Sequence, residues 1–288
     1  MDDAAADGDI VLLDALHQSS FHTSARLCTA QAMDRAAAND DIVGLEWLHQ
    51  HRREGCSMAA FEAAAKRGSV VILEWLFEFQ CVPDRQHALE SSVMFHAVQS
   101  GQTRVVQWLC FTRPAFVPFF NAFDLACECG HLEVAQCLDA LSSTRPALAP
   151  HSSRAMDIAA DQGHIAVVQW LHLHRAAECT TDAIDFACAQ GHLDVARWLL
   201  THRREGCTAR ALIDAAANGH VAIVEWLLRH RVVALDDAVV TQAKRLAMRR
   251  KHTSIVALLN ECSVASALCV ATQWNGAFDD EKAEQMCA

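Results

Sequence analysis

Sixteen histidines and thirteen cysteines in 288 residues are the side chains most able to do chemistry here. Zinc coordination is the first chemistry they suggest, because imidazole nitrogen and thiolate sulfur are its usual ligands. Their spacing argues against it. His131, His164, His192, His220 and His252 recur at one position of a repeat, His17, His49 and His172 at a second, and His51, His174, His202 and His230 at a third. His22, His87, His96 and His151 fall outside these rows. Cys56, Cys179 and Cys207 share one position, and Cys127 and Cys188 another. Residues that recur once per helical unit stand in rows about 10 Å apart, too far to meet on one ion at about 2.0–2.3 Å. Cys127 and Cys129, two apart on a helix, face different ways. No metal and no cofactor is expected.

Carboxylates form a further row, Asp34, Glu62, Asp124, Asp157 and Asp185, one near the start of each first helix. Acid–base catalysis needs groups whose environments push their pKa values apart, and identical carboxylates in identical settings lack that split. Two uses remain. A first-turn carboxylate offsets the helix dipole and can accept a hydrogen bond from the next unit. Alternatively, Glu62, Asp124, Asp157 and Asp185 line an acidic stripe that meets a basic partner. No phosphate loop, nucleophile elbow or kinase signature occurs, so no catalytic residue is assigned and the chain is not expected to be an enzyme.

The elements that carry these rows emerge from self-similarity. A glycine followed seven positions later by tryptophan recurs from Gly68 to Trp75, Gly101 to Trp108, Gly163 to Trp170, Gly191 to Trp198 and Gly219 to Trp226. Gly130 is followed by Cys137 instead. Gly8, Asp40 and Lys251 open degenerate units that end on Ala15, Trp47 and Leu258. Successive units are thus 28 to 33 residues apart, and six of the seven tryptophans hold one repeat position. Within a unit, a short first helix such as Ala183–Gly191 stops at a glycine able to go left-handed. A second, Leu193–Leu200, carries one apolar face. Ser57, Ser153, Thr180 and Thr208 stand where a side-chain oxygen caps the first helix. The turn between units, His-Arg-Arg-Glu-Gly-Cys, is identical at residues 51–56 and 202–207, and Arg52, Arg113, Arg175, Arg203 and Arg231 recur there, at a helix's carbonyl end. Neither helix is long enough to be stable alone, so the pairs must stack into one shared core. The tryptophan row is expected inside it, with Trp198→Ala costing about 3–5 kcal/mol.

The run Gly-His-Leu-x-Val-x-x-Trp-Leu, at 130–138, 163–171, 191–199 and 219–227 in close variants, resembles the ankyrin repeat's Ala-Ala-x-x-Gly-His-Leu-x-Val-Val-x-Leu-Leu. The similarity extends over about residues 1 to 260, in about nine units. Departures are a missing Thr-Pro-Leu-His opening and units only 28 or 29 residues long, similar to a short, Trp-rich ankyrin variant. The resemblance implies an all-α, ankyrin-type solenoid of stacked antiparallel helix pairs, elongated and curved. Residues 1–260 form the solenoid, and 261–288 a tail that is a loose helix or disordered. Met1 to Ala6, at the truncated first unit, are expected to fray.

Three long turns break the pattern: 81–87, 112–120 and 144–151. The second carries Phe116, Phe119 and Phe120, more aromatic surface than a turn needs and a candidate anchor for a partner. The resemblance implies a non-catalytic interaction scaffold that binds another protein through its concave helix face and these turns. The alternatives are an adaptor presenting a target to a degradation or signalling complex, or a duplicated copy without a dedicated partner. A net charge of −11 opposes non-specific binding to nucleic acid or anionic lipid. No apolar run is long enough to span a bilayer. A monomer is expected. The opening Met1-Asp2-Asp3-Ala4 is acidic where a secretory signal is basic, and the thirteen cysteines read as reduced thiols. The expected compartment is the cytoplasm, with the nucleus as the alternative because Lys244, Arg245, Arg249, Arg250 and Lys251 cluster.

Overall fold

A computed structural model describes residues 1–20, 28–79, 86–113, 121–144, 154–174, 179–230, 232 and 236–261. Within them lie eighteen helices and no strand. The chain divides into two compact bodies, Met1–Ser152 and Ser153–Ala288.

The first body holds five helix–turn–helix pairs: α1 (Asp2–Ala6) with α2 (Ile10–Ser20), α3 (Ala30–Ala38) with α4 (Ile42–His51), α5 (Met58–Arg67) with α6 (Val70–Phe79), α7 (Gln86–Gln99) with α8 (Thr103–Thr112), and α9 (Ala122–Glu128) with α10 (Leu132–Thr144). First helices pack on first helices, α1 on α3, α3 on α5, α5 on α7 and α7 on α9, while α6, α8 and α10 form a second layer. The second body repeats the scheme with α11 (Ala155–Asp161) and α12 (Ile165–His174), α13 (Thr181–Gln190) and α14 (Leu193–His202), α15 (Ala209–Asn218) and α16 (Val221–Arg229), and α17 (Asp237–Arg249) and α18 (Thr253–Glu261). There α11, α13, α15 and α17 pack in succession. Every pair makes contact only with its neighbours to any extent, as a stack of small units requires.

Local chemistry sets each pair. Thr29, Ser57, Thr180 and Thr208 accept a hydrogen bond from the amide two residues on, capping α3, α5, α13 and α15. Gly191 and Gly219 end α13 and α15 with φ of 96° and 89°, a conformation that costs a side-chain-bearing residue about 1–2 kcal/mol. Asp40 and Lys251 hold the same place with φ of 62° and 65°, so the degenerate units keep the backbone and accept the strain. Small residues then let first helices approach closely: Ala36, Ala37, Ala64, Ala65, Ala215 and Ala216 are all fully buried.

Two expectations are corrected. Met1 to Ala6 do not fray, because Ala4 and Ala5 are 3% and 0% exposed and Asp2 accepts from the amide (2.9 Å) and hydroxyl (2.7 Å) of Thr29. The tryptophan row is not uniformly core. Trp75 and Trp170 are buried, whereas Trp47, Trp108, Trp198 and Trp226 are half-buried at the rim of the second-helix layer. The long turns at 81–85, 114–120 and 145–153 lie outside the described residues, as does the tail from 262 onward.

Candidate functional site

Members of the acidic row join one unit to the next. Asp185 accepts from the Thr208 amide (2.8 Å) and hydroxyl (2.5 Å). Asp157 accepts from Thr180 in the same way (3.1 and 2.8 Å), and Asp34 from Ser57 (2.8 and 2.7 Å). Each carboxylate therefore grips the cap residue of the next unit's first helix, with both oxygens engaged. Asp157 and Asp185 are each 1% exposed, with both oxygens turned to the neighbouring cap. Asp2 is a member of this row that the period alone did not reveal, since the truncated first unit hid its register. Glu62 is half-buried and turned to the following helix, where it accepts from the Ser92 hydroxyl at 3.2 Å and lies 3.9 Å from His96 Nε2. Asp124 sits half-buried in the first turn of α9. Phe116, Phe119 and Phe120 lie outside the described residues.

The histidines also have structural work. His131, His220 and His252 each bring Nε2 to a backbone carbonyl of the preceding unit, Gln99 at 3.0 Å, Ala189 at 2.9 Å and Ala217 at 3.1 Å. Their rings cover that unit's glycine so closely that a Cβ on Gly101 would stand 2.7 Å from His131 Nδ1. Gln102 does the same job without an imidazole, donating to the Lys66 carbonyl at 2.8 Å. The other two histidine rows interleave with tryptophan. Trp198 stacks on His202, centroids 4.4 Å apart at 13°, and receives the edge of His172 from the unit before at 5.3 Å and 87°. Trp47, His51 and His17 repeat this pattern. Among the described residues no three His, Cys, Asp or Glu side chains are grouped to hold a metal.

The duplicated turn folds identically in both places. Arg52 pairs with Glu54 (2.5 Å) and Arg203 with Glu205 (2.6 Å), and each glutamate also accepts from the next-door arginine amide at 2.9 Å. These bonds hold both carboxyls below the usual carboxylate range although partial burial opposes it. Burial pushes the Cys179 thiol up to about 12 and that of Cys207, the last residue of the second turn, to about 11.

What remains outward on the first helices of the second body is a mixed patch. Arg210 lies 5.8 Å over the Phe186 ring and 3.8 Å from both Asp182 and Asp214. Their polar side chains keep 59%, 38% and 40% exposure. Sequence reasoning passed over them because their positions mix residue types from unit to unit: Asp182 stands where Arg154 and Arg210 do, and Phe186 where Asp3 and Asp214 do. Among the described residues no helix is long and apolar enough to cross a membrane.

A family model described as ankyrin repeats (3 copies) matches residues 156–237, the span from α11 to the start of α17. No curated protein matches the chain.

Proposed function

We propose that this chain, whose residues 156–237 match the ankyrin-repeat family model, serves as a non-catalytic scaffold that holds another protein. Ankyrin repeats are in general protein-interaction modules, and one observation here carries the reading further. The side chains that could do chemistry are spent on joining units: Asp157 and Asp185 on caps, His131 and His220 on carbonyls, and His172 and His202 on Trp198. The partner surface is then what the joints leave over. We assign it, in the second body, to the first-helix patch of Phe186, Arg210, Asp182 and Asp214, and, in the first body taken by itself, to Glu62 and Asp124. The aromatic turn with Phe116, Phe119 and Phe120 supplies the apolar anchor. A half-exposed aromatic beside an arginine and two carboxylates has the composition of a binding hot spot with a polar rim.

The test is affinity purification of the full chain followed by mass spectrometry, repeated with two variants. Replacing Phe116, Phe119 and Phe120 by Ser, or Phe186 and Arg210 by Ala, is expected to lose the captured protein while the thermal transition stays in place. Retention of the same partner by both variants refutes the assignment.

A further inference from the structure

Burial along the rows shows that each unit has a front and a rear face. The residue five beyond the glycine position is 0% exposed at Leu45 and Leu73, and the residue three before it is 0% exposed at Ala37 and Ala65. These positions face the following unit. In the last described pair they are Val256, half-buried, and Met248, 53% exposed. The residue four beyond the glycine position faces the preceding unit and is 0% exposed at Ile72 and Val195, yet its counterpart in the first pair, Leu12, is 43% exposed.

The joints inside the array also fix a register. The residue before the glycine position reaches back to the residue two before the preceding unit's glycine position, to its carbonyl as Arg67 does to Ala38 (2.9 Å) and Asn218 to Ala189 (2.7 Å), or to its side chain as Gln190 does to Asp161 (3.2 Å). The residue after the glycine position meets the preceding glycine position itself. Ser69 donates to Asp40 there, which shows that a side chain is accommodated at that place. On the first pair these reaching residues are Asp7 and Asp9, both exposed. On the last described pair the residues they would reach are Arg249 and Lys251, both exposed.

We propose that these two faces bind each other between copies of this chain. The front of α1–α2 in one molecule stacks on α17–α18 of a second in the register that joins neighbouring units. Asp7 meets Arg249, Asp9 meets Lys251, and Leu12 covers Met248 and Val256. The contact is heterologous, head to tail, so each copy keeps one face open after the other is filled. Opposite charge on the two faces gives the encounter its direction.

Sedimentation velocity on the full chain over a wide concentration range tests this, in low salt and at about 0.5 M NaCl, where surface charges are screened. The average mass is expected to rise with concentration, and less so in high salt. Leu12→Glu and Met248→Glu should each leave a monomer, yet the two variants mixed should form a one-to-one pair, since each retains one intact face. Asp7→Lys or Arg249→Glu alone should weaken association by about tenfold, and both in one chain should restore it. A chain that stays monomeric at every concentration overturns the proposal, as does association that survives both glutamate substitutions, or Glu variants that fail to pair.

Discussion

Replacing Asp185 by Ala probes the joint that recurs most regularly. The carboxylate is 1% exposed and accepts from the Thr208 amide at 2.8 Å and hydroxyl at 2.5 Å. Hydrogen bonds to a charged group are worth about 1.5–3 kcal/mol each, and stranded buried donors cost a further 1–3 kcal/mol. Water can reach part of the emptied site, so a loss of about 3–4 kcal/mol is expected. Thr208→Val removes one of the two bonds and the cap on the Arg210 amide at 3.2 Å, for about 1–2 kcal/mol. Because the two changes share one bond, the double variant should fall short of their sum by about 1.5 kcal/mol or more. Urea unfolding followed by far-ultraviolet circular dichroism measures all four proteins. If Asp185→Ala costs less than about 1 kcal/mol, or the changes simply add, the carboxylate is not a clamp. Unchanged stability with lost partner binding would return the row to the role of an acidic stripe.

Trp198→Ala should cost about 2 kcal/mol, below the range for a fully buried ring, while Trp75→Ala should cost about 3–5 kcal/mol; equal losses in urea titrations would contradict the difference in burial. Lys251→Gly, which relieves a φ of 65°, should stabilise by about 1 kcal/mol. Gly191→Ala should destabilise instead, because its φ is 96° and its Cβ would lie 2.8 Å from the His220 ring; thermal melts showing the same sign for both would refute this. The thiols of Cys179 and Cys207 are held protonated by burial, up to about 12 and about 11 from the ordinary 9.0. A raised thiol pKa means the folded state keeps a proton the unfolded chain releases, so stability from this source is intact below 9 and falls as pH rises from there toward 11. Iodoacetamide at pH 8 should modify both cysteines slowly in the native chain and rapidly in urea, with peptide mass mapping as the readout.

Much of this was legible because a period reports equivalence. Gly191 and Gly219 announced the left-handed stops, and the same count found Asp40, a residue type that tolerates positive φ, and Lys251, whose positive φ residue preference would not suggest. The caps at Ser57, Thr180 and Thr208 followed from their place ahead of each first helix. What a period does not report is direction. Asp185 recurs in step with its row whether it points outward or at Thr208, and only packing distinguishes the two. Trp198, Trp170 and Trp75 hold one repeat position, yet Trp198 is half-buried and the other two are buried, although Trp170 and Trp198 both stack on a histidine. The patch around Arg210 escaped notice for the opposite reason: its positions change type from unit to unit, Asp182 standing where Arg154 and Arg210 do and Phe186 where Asp3 and Asp214 do, so no constant residue marks the row.

The twin hexapeptides at 51–56 and 202–207 bear on how such a gene can change length. Their backbones, ion pairs and positive-φ glycines, 69° at Gly55 and 72° at Gly206, are interchangeable. The clamp that follows each turn joins Asp34 to Ser57 or Asp185 to Thr208 and never looks past one unit. A crossover between the two copies would therefore excise whole units and match Asp34 with Thr208, which carries the same amide and hydroxyl donors as Ser57.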